Sequence, residues 1–383
     1  MFYHALAAAA LLGHTVAGYL PSVQGTPEII GRVDDPTINR DSCGSVRINS
    51  RVLWVCRDSQ PYDAAGTPTL PVWSSSAAWS DLDSNGKLKL QQILSPVESG
   101  TGLLTYGRNT RTPFYPIPSD KCGSNSAGAC PDGTRYAIWP DSPPLITSTR
   151  SDGTIVAYAW IKQAHITSNL GVLDKNPPTS LYRVEYAPTS DVNALPRVTL
   201  ISQQFWSRSD FPYGNYGGVV RDGVAYIYGQ NADGNVGVAQ VPVDKIEDRS
   251  AYQFYIMLGW ANSNPGVDAS GLNIPNVSAG GQGTFYYSEV WKLFVWIGQA
   301  KNSVVPEFWI STSPLAGGPW EPPKLIYRAA NGNGFIGGYT LQAHPSLLAN
   351  KTENAIYLTY TKPMVNSKGI SYYSNPLVYI KWQ

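Results

Sequence analysis

The chain has 383 residues, only 14% of them charged, and a formal net charge of +1. That balance gives no reason to invoke nucleic acid or an anionic membrane as partner, and beyond the N-terminus no apolar run approaches the roughly 18 residues of a membrane span. Its 36 Gly, 30 Pro, 24 Tyr and 12 Trp favour many short strands joined by turns and disfavour long helices.

In chain order, the first element is an apolar stretch over 5–12 followed by Thr15-Val16-Ala17-Gly18. This reads as a secretory signal over 1–18, although no Lys or Arg precedes the apolar run. A secreted, extracellular protein is expected, with residues 19–383 forming one domain. Export makes the four cysteines disulfide candidates, Cys43 with Cys56 and Cys122 with Cys130. Asn276 and Asn350 begin Asn-x-Ser/Thr sequons and are candidate glycan acceptors.

The next element carries the most chemistry. Val46-Arg47-Ile48 and Arg51-Val52-Leu53-Trp54-Val55 flank Asn49-Ser50, which suits a two-residue turn. Centring the hairpin there opposes Ile48 to Arg51, Cys43 to Cys56 and Asp41 to Asp58. Both outer pairs then fall on non-hydrogen-bonded positions, where side chains approach most closely, and period-two alternation sets both aspartates on the disulfide's side. Opposed like charges are destabilising, so one carboxyl should titrate high unless solvent or a cation relieves it. Such a pair is an acid/base arrangement, a metal site or a solvated strand end.

Similar hairpins recur with turn centres near 152, 222, 290 and 352. The second joins Leu145-Ile146-Thr147 to residues 154–160. The third joins Gly217-Gly218-Val219-Val220 to residues 224–229. The fourth joins residues 284–289 to 291–296, and the fifth joins Pro345-Ser346-Leu347-Leu348 to residues 355–360. A Gly/Ser/Pro-rich insertion near 107–135 separates the first two and carries the second cysteine pair. Hairpins followed by further strands at this spacing predict an all-β, five-bladed β-propeller. Its closing strand is drawn from Glu28-Ile29-Ile30 or from residues 377–380, and a β-sandwich with an appended module is the alternative fold.

Several motifs in this order resemble a known family. Arg40-Asp41-Ser42-x-Gly44 with residues 51–58 is similar to the first-blade motif of secreted five-bladed propellers long described as a domain of unknown function and related to microbial endo-D-arabinanases. Residues 216–223 with 225–229 resemble its middle blade; Pro242, Asp248, Ser250 and residues 252–260 resemble the segment that follows. Residues 311–315 with Gly318-Pro319-Trp320 resemble its late blade. The resemblance implies a glycoside hydrolase acting on a furanose-containing polysaccharide through paired first-blade aspartates, which match Asp41 and Asp58. Cys56-Arg57 and Ser59 depart from the family pattern.

Asp58 is assigned as acid and Asp41 as base or nucleophile, in either retaining or inverting geometry. Arg40, Tyr213, Tyr216 and Glu289 are candidate substrate contacts. His165 and His344 lack ligand-like spacing, and Asp83 and Asp233 begin only fragments of Ca²⁺ loops, so no metal or cofactor is expected. The partner expected is a polysaccharide or oligosaccharide, met by a monomer. Two other functions remain: a non-catalytic propeller lectin or cell-wall binding protein, and a polysaccharide lyase using His165 or a tyrosine as base.

Overall fold

The computed structural model describes residues 19–107, 112–122, 127–188, 191–257, 259–268, 282–299 and 303–383. The expected signal over 1–18 and the sequon at Asn276 lie outside the described residues.

Within the first hairpin, Cys43–Ile48 pairs with Arg51–Cys56 in the register that opposes Ile48 to Arg51 and Cys43 to Cys56. Asn49 sits at φ 55°, the left-handed conformation a tight hairpin turn demands and that Asn tolerates well. Ser76–Asp81 adds a third strand. The second sheet runs Leu145–Thr149, Ile155–Ile166, Thr179–Tyr186 and Arg197–Trp206, with Arg135–Ile138 on the far end of its long strand. Third comes Gly217–Arg221, Val224–Gln230, Val236–Pro242, Gln253–Ile256 and Gly259–Ala261. The fourth is Gly283–Ser288, Leu293–Gln299, Glu307–Ser313 and Lys324–Arg328.

The last large sheet unites the two ends of the described chain. Tyr339–Ala343, Ala355–Val365 and Pro376–Trp382 are followed by Val23–Asp34, antiparallel to Pro376–Trp382. Both segments proposed for closure therefore take part in it. The innermost strands of successive sheets touch one another around a central channel.

The expected five four-stranded blades are corrected to four. Among the described residues, four sheets reach four or more strands, whereas the first hairpin stops at three. The chain after Ser76–Asp81 turns at Leu82–Leu88, and its next strands, Leu90–Ile93 and Gly100–Leu104, do not extend that sheet. Gly100–Leu104 pairs in parallel with Val23–Asp34 instead. The expected fifth hairpin also shifts: Pro345–Leu347 is a short 3₁₀ turn, and the inner strand is Tyr339–Ala343.

The core sits between sheets. Trp79, Tyr115, Ile117 and Tyr182 pack the first sheet against the second, so the insertion near 107–135 contributes core where it is described. Tyr213 joins Trp206, Phe211 and Phe254 between the second and third sheets. Asp83 closes a turn by accepting from the Asn85 and Lys87 amides, and Asn231 does the same for Asp233 and Asn235.

Candidate functional site

The hairpin ladder is interrupted, and the interruption holds the acidic pair. Beyond it, Ile38–Arg40 pairs with Ser59–Pro61 in the same register, Arg40 opposite Ser59. Between the two ladders the Asp41 amide donates to the Asp58 carbonyl at 2.8 Å, and the Arg57 amide is shared between the Asp41 and Ser42 carbonyls at 2.9 and 3.1 Å. Asp41 and Asp58 are thus linked through the backbone, not the non-hydrogen-bonded pair expected from alternation. The cause is local: Ser42 lies at φ 44°, and this left-handed residue breaks the pleat. Cys43 and Cys56 keep the narrow-pair spacing, with Cα atoms 4.0 Å apart, and are disulfide-bonded, as are Cys122 and Cys130.

Asp41 is buried, with 8% of its surface exposed. Its carboxyl accepts from Thr361 Oγ1 at 3.2 Å and bonds the Tyr339 hydroxyl. Burial raises its pKa to about 6, against the pull of the Arg57 charge and with a push from Asp58.

Asp58 meets a different environment. Arg135 donates to both its oxygens, at 3.1 and 2.8 Å, and Trp139 Nε1 donates to Oδ1 at 2.7 Å. Three N–H donors, two of them from one guanidinium, suit an acceptor-only carboxylate and leave one of its lone-pair sites free.

Arg57 lies 4.6 Å above the Trp139 ring, with Nε 3.6 Å from Asp141 Oδ1. Burial works against its charge, and Asp141, Asp41 and Asp58 together outweigh that penalty. Gln282 Nε2 donates to Asp141 Oδ1 at 2.8 Å, while its Oε1 accepts from Ser42 Oγ at 2.7 Å and from Gln342 Nε2. These contacts gather the entry points of the inner strands at one end of the channel. Tyr373 stands beside them; burial and then the Asp41 charge push its hydroxyl up to about 12. Lys162 completes the set, its amine pushed down by burial, with Asp141 opposing and Arg57 adding.

The other expected site residues go elsewhere. Arg40 is buried, with Nη2 2.9 Å from Asp35 Oδ2 and Nη1 2.9 Å from Thr105, so its guanidinium is taken up inside the protein and not offered to a substrate. Tyr213 is 0% exposed and packs in the core, and the buried Tyr216 hydroxyl accepts from Trp296 Nε1. Neither ring offers a face to a ligand. Glu289 lies at the opposite mouth, paired to Lys292 at 2.8 Å. Asn350 is exposed and accepts from the Thr352 amide and hydroxyl.

Both histidines are spoken for. His344 is 0% exposed, with Nδ1 2.7 Å from Ser45 Oγ and Nε2 2.7 Å from Thr359 Oγ1. His165 bonds Thr134 and stacks on Tyr136. Tyr136 and Arg135 are adjacent in one strand and face opposite ways. His165 therefore stands across that strand from Asp58, away from where a lyase base would be needed.

Arg135, Trp139, Asp141, Gln282, Tyr339 and Tyr373 were not singled out by the sequence. One signal was present: Asp141-Ser142 precedes the second inner strand as Asp41-Ser42 precedes the first.

No protein-family model matches the chain, and no curated protein matches it. The expected membership of the arabinanase-related five-bladed family is corrected by the blade count, four and not five. Solved structures do match. A Bacteroides ovatus protein described provisionally as a hydrolase superposes with a TM-score of 0.57 at 12% identity, over 88% of this chain and 85% of that one. This shows a shared fold. Weaker likenesses include an N-acetylgalactosamine deacetylase from F. plautii (TM-score 0.46, 11% identity, 94% of each chain). Another is the α-L-arabinofuranosidase PaAbf62A from Podospora anserina (0.41, 8%, 95% of each). The chain is thus a β-propeller that shares the fold of the Bacteroides ovatus protein.

Proposed function

We propose that this protein is an exported glycoside hydrolase acting on a polysaccharide, with Asp41 as acid and Asp58 as base or nucleophile. The observation that carries the reading is the contrast between the two carboxyls. Asp41 is buried and titrates near 6, so it retains a proton to give to a glycosidic oxygen in mildly acidic solution. Asp58 faces Arg135 and Trp139, which hold it as an oriented carboxylate with acceptor capacity to spare. This exchanges the roles that the sequence suggested. A carboxyl that holds a proton beside a second, oriented carboxyl is what cleavage of a glycosidic bond requires. Two disulfides support export to an oxidising compartment.

The test is reducing-sugar release from a panel of neutral and acidic polysaccharides, arabinofuranose-containing polymers first. Asp41→Asn should lower turnover at least about a hundredfold, the usual scale of a general acid. Glycan binding without release in the wild type would move the reading to a lectin. Unsaturated products absorbing in the ultraviolet would move it to a lyase.

A further inference from the structure

A large cavity lies away from the aspartate pair. It occupies the other mouth of the channel, has a volume of about 610 Å³ and draws residues from the inner strands of the first four sheets and, from the last, from Ala355, Trp382 and the turn after Tyr339–Ala343. The network of Ser42, Gln282, Asp141 and Gln342 lies on the aspartate side, and Thr284, in the cavity wall, donates to Gln342. The two mouths are therefore separate places.

We infer that this second mouth is a binding site for a short, neutral saccharide. Three observations carry the chemistry. First, the wall holds aromatic side chains: Tyr286, which stacks on no other ring among the described residues, and Trp291, which meets Tyr19 and Trp382 edge-on. Aromatic faces of this kind suit the C–H face of a sugar ring.

Second, two buried donor atoms in the lining have no hydrogen-bond partner, the Trp382 indole N–H and Nη1 of Arg221, whose guanidinium lies 3.6 Å over the Tyr287 ring. Trp382 is 4% exposed, so its N–H is shut away from bulk water. An unpaired buried donor is costly, and a small side-chain shift that opens either one to a ligand hydroxyl would relieve it.

Third, the acids of the lining are already committed. Asp222 pairs with Arg221 at 3.0 Å, Glu289 with Lys292, and Glu353 accepts from the Ala349 amide and the Tyr379 hydroxyl. Three lining cations, Arg47, Arg221 and Lys351, balance those three acids. The formal charges of the lining residues thus sum to zero, which favours an uncharged ligand. Apolar walls with a few directed polar groups are the usual make-up of a small-ligand site.

The experiment is titration of the full-length protein with cellobiose, lactose and β-1,3-galactobiose, read by calorimetry and tryptophan fluorescence, with glucuronic acid as a charged control. At least one neutral disaccharide should bind saturably. Trp382→Phe should weaken it about tenfold, the equivalent of one hydrogen bond at 1.4 kcal/mol, without changing hydrolysis. Arg221→Gln serves as the second variant should Trp382→Phe fail to fold. Asp41→Asn should leave this binding intact, which separates it from the aspartate site. Three results would overturn the inference: no neutral disaccharide bound, preference for glucuronic acid, or binding lost in Asp41→Asn and kept in Trp382→Phe.

Discussion

Asp41 is a residue whose burial carries a stability cost that can be measured. Its folded pKa, about 6, lies above the usual 3.8, so between these values the folded chain holds a proton that the unfolded chain has released. Folding stability therefore falls as pH rises from about 4 to 6, by about 3 kcal/mol in all. Asp41→Asn removes that slope. The variant should melt higher than wild type at pH 8, and the two should converge near pH 4 by calorimetry. Asp58 should behave differently. Asp58→Asn replaces an acceptor of three hydrogen bonds and leaves Arg135 partly stranded, at a cost of about 2 kcal/mol. A smaller change in denaturant midpoint would mean that solvent already satisfies Arg135. His344 acts with the opposite sign to Asp41. Burial lowers its pKa to about 3, so the unfolded chain takes a proton below 6.5 that the folded chain refuses. Its contribution is complete above pH 6.5 and lost as pH falls. In Asp41→Asn the acid-side loss should therefore be steeper than in wild type, and His344→Asn should flatten it.

Elements separate what the sequence displays from what it hides. The first hairpin was legible because the Asn49-Ser50 turn, the β-branched strands and the two cysteines all specify one register. The disulfide closes a loop of separation 13, so replacing both cysteines by alanine should cost about 3 kcal/mol on a chain-entropy argument. Denaturant melts of Cys43→Ala/Cys56→Ala test this, and loss of the fold would show that the ladder cannot hold the register alone. The inner strand Tyr339–Ala343 was not legible. Thr340, Gln342 and His344 are buried polar residues there, each bonded to another sheet or strand, so the apolar alternation that announces a strand is missing. The break at Ser42 was equally hidden, since nothing local marks a serine at positive φ. Arg135 and Trp139 reach Asp58 from 77 and 81 residues away, and no local pattern records such a meeting. Tyr213 and Tyr216 show the converse: aromatics beside glycines fit a sugar platform in the sequence, and here they are core.

At the scale of the whole molecule, closure ties the early chain to the end of the sequence. Pro376–Trp382 lies between Ala355–Val365 and Val23–Asp34 and buries Leu377, Val378, Ile380 and Trp382. Each such side chain is worth roughly 1.5–3 kcal/mol, and their sum is comparable to the roughly 5–15 kcal/mol by which a domain is typically stable. A chain ending at residue 375 should therefore lack a cooperative melt in circular dichroism, and a retained transition would show that the other sheets stand alone. The number of sheets escaped the sequence because hairpin spacing counts inner strands, whereas a blade is defined by where its outer strands pair. Leu90–Ile93 and Gly100–Leu104 left the first sheet for a partner near residue 32, which spacing cannot reveal. The same closed architecture brings Asp41, Asp58 and Asp141 to one end of the channel and leaves the cavity at the other. The most direct test of the hydrolase reading is reducing-sugar release from arabinan, arabinogalactan and other polysaccharides by wild type and Asp41→Asn, followed from pH 4 to pH 8. The account predicts release by wild type that declines above about pH 6, as Asp41 loses its proton, and none above background in the variant. Equal release by both proteins would contradict it.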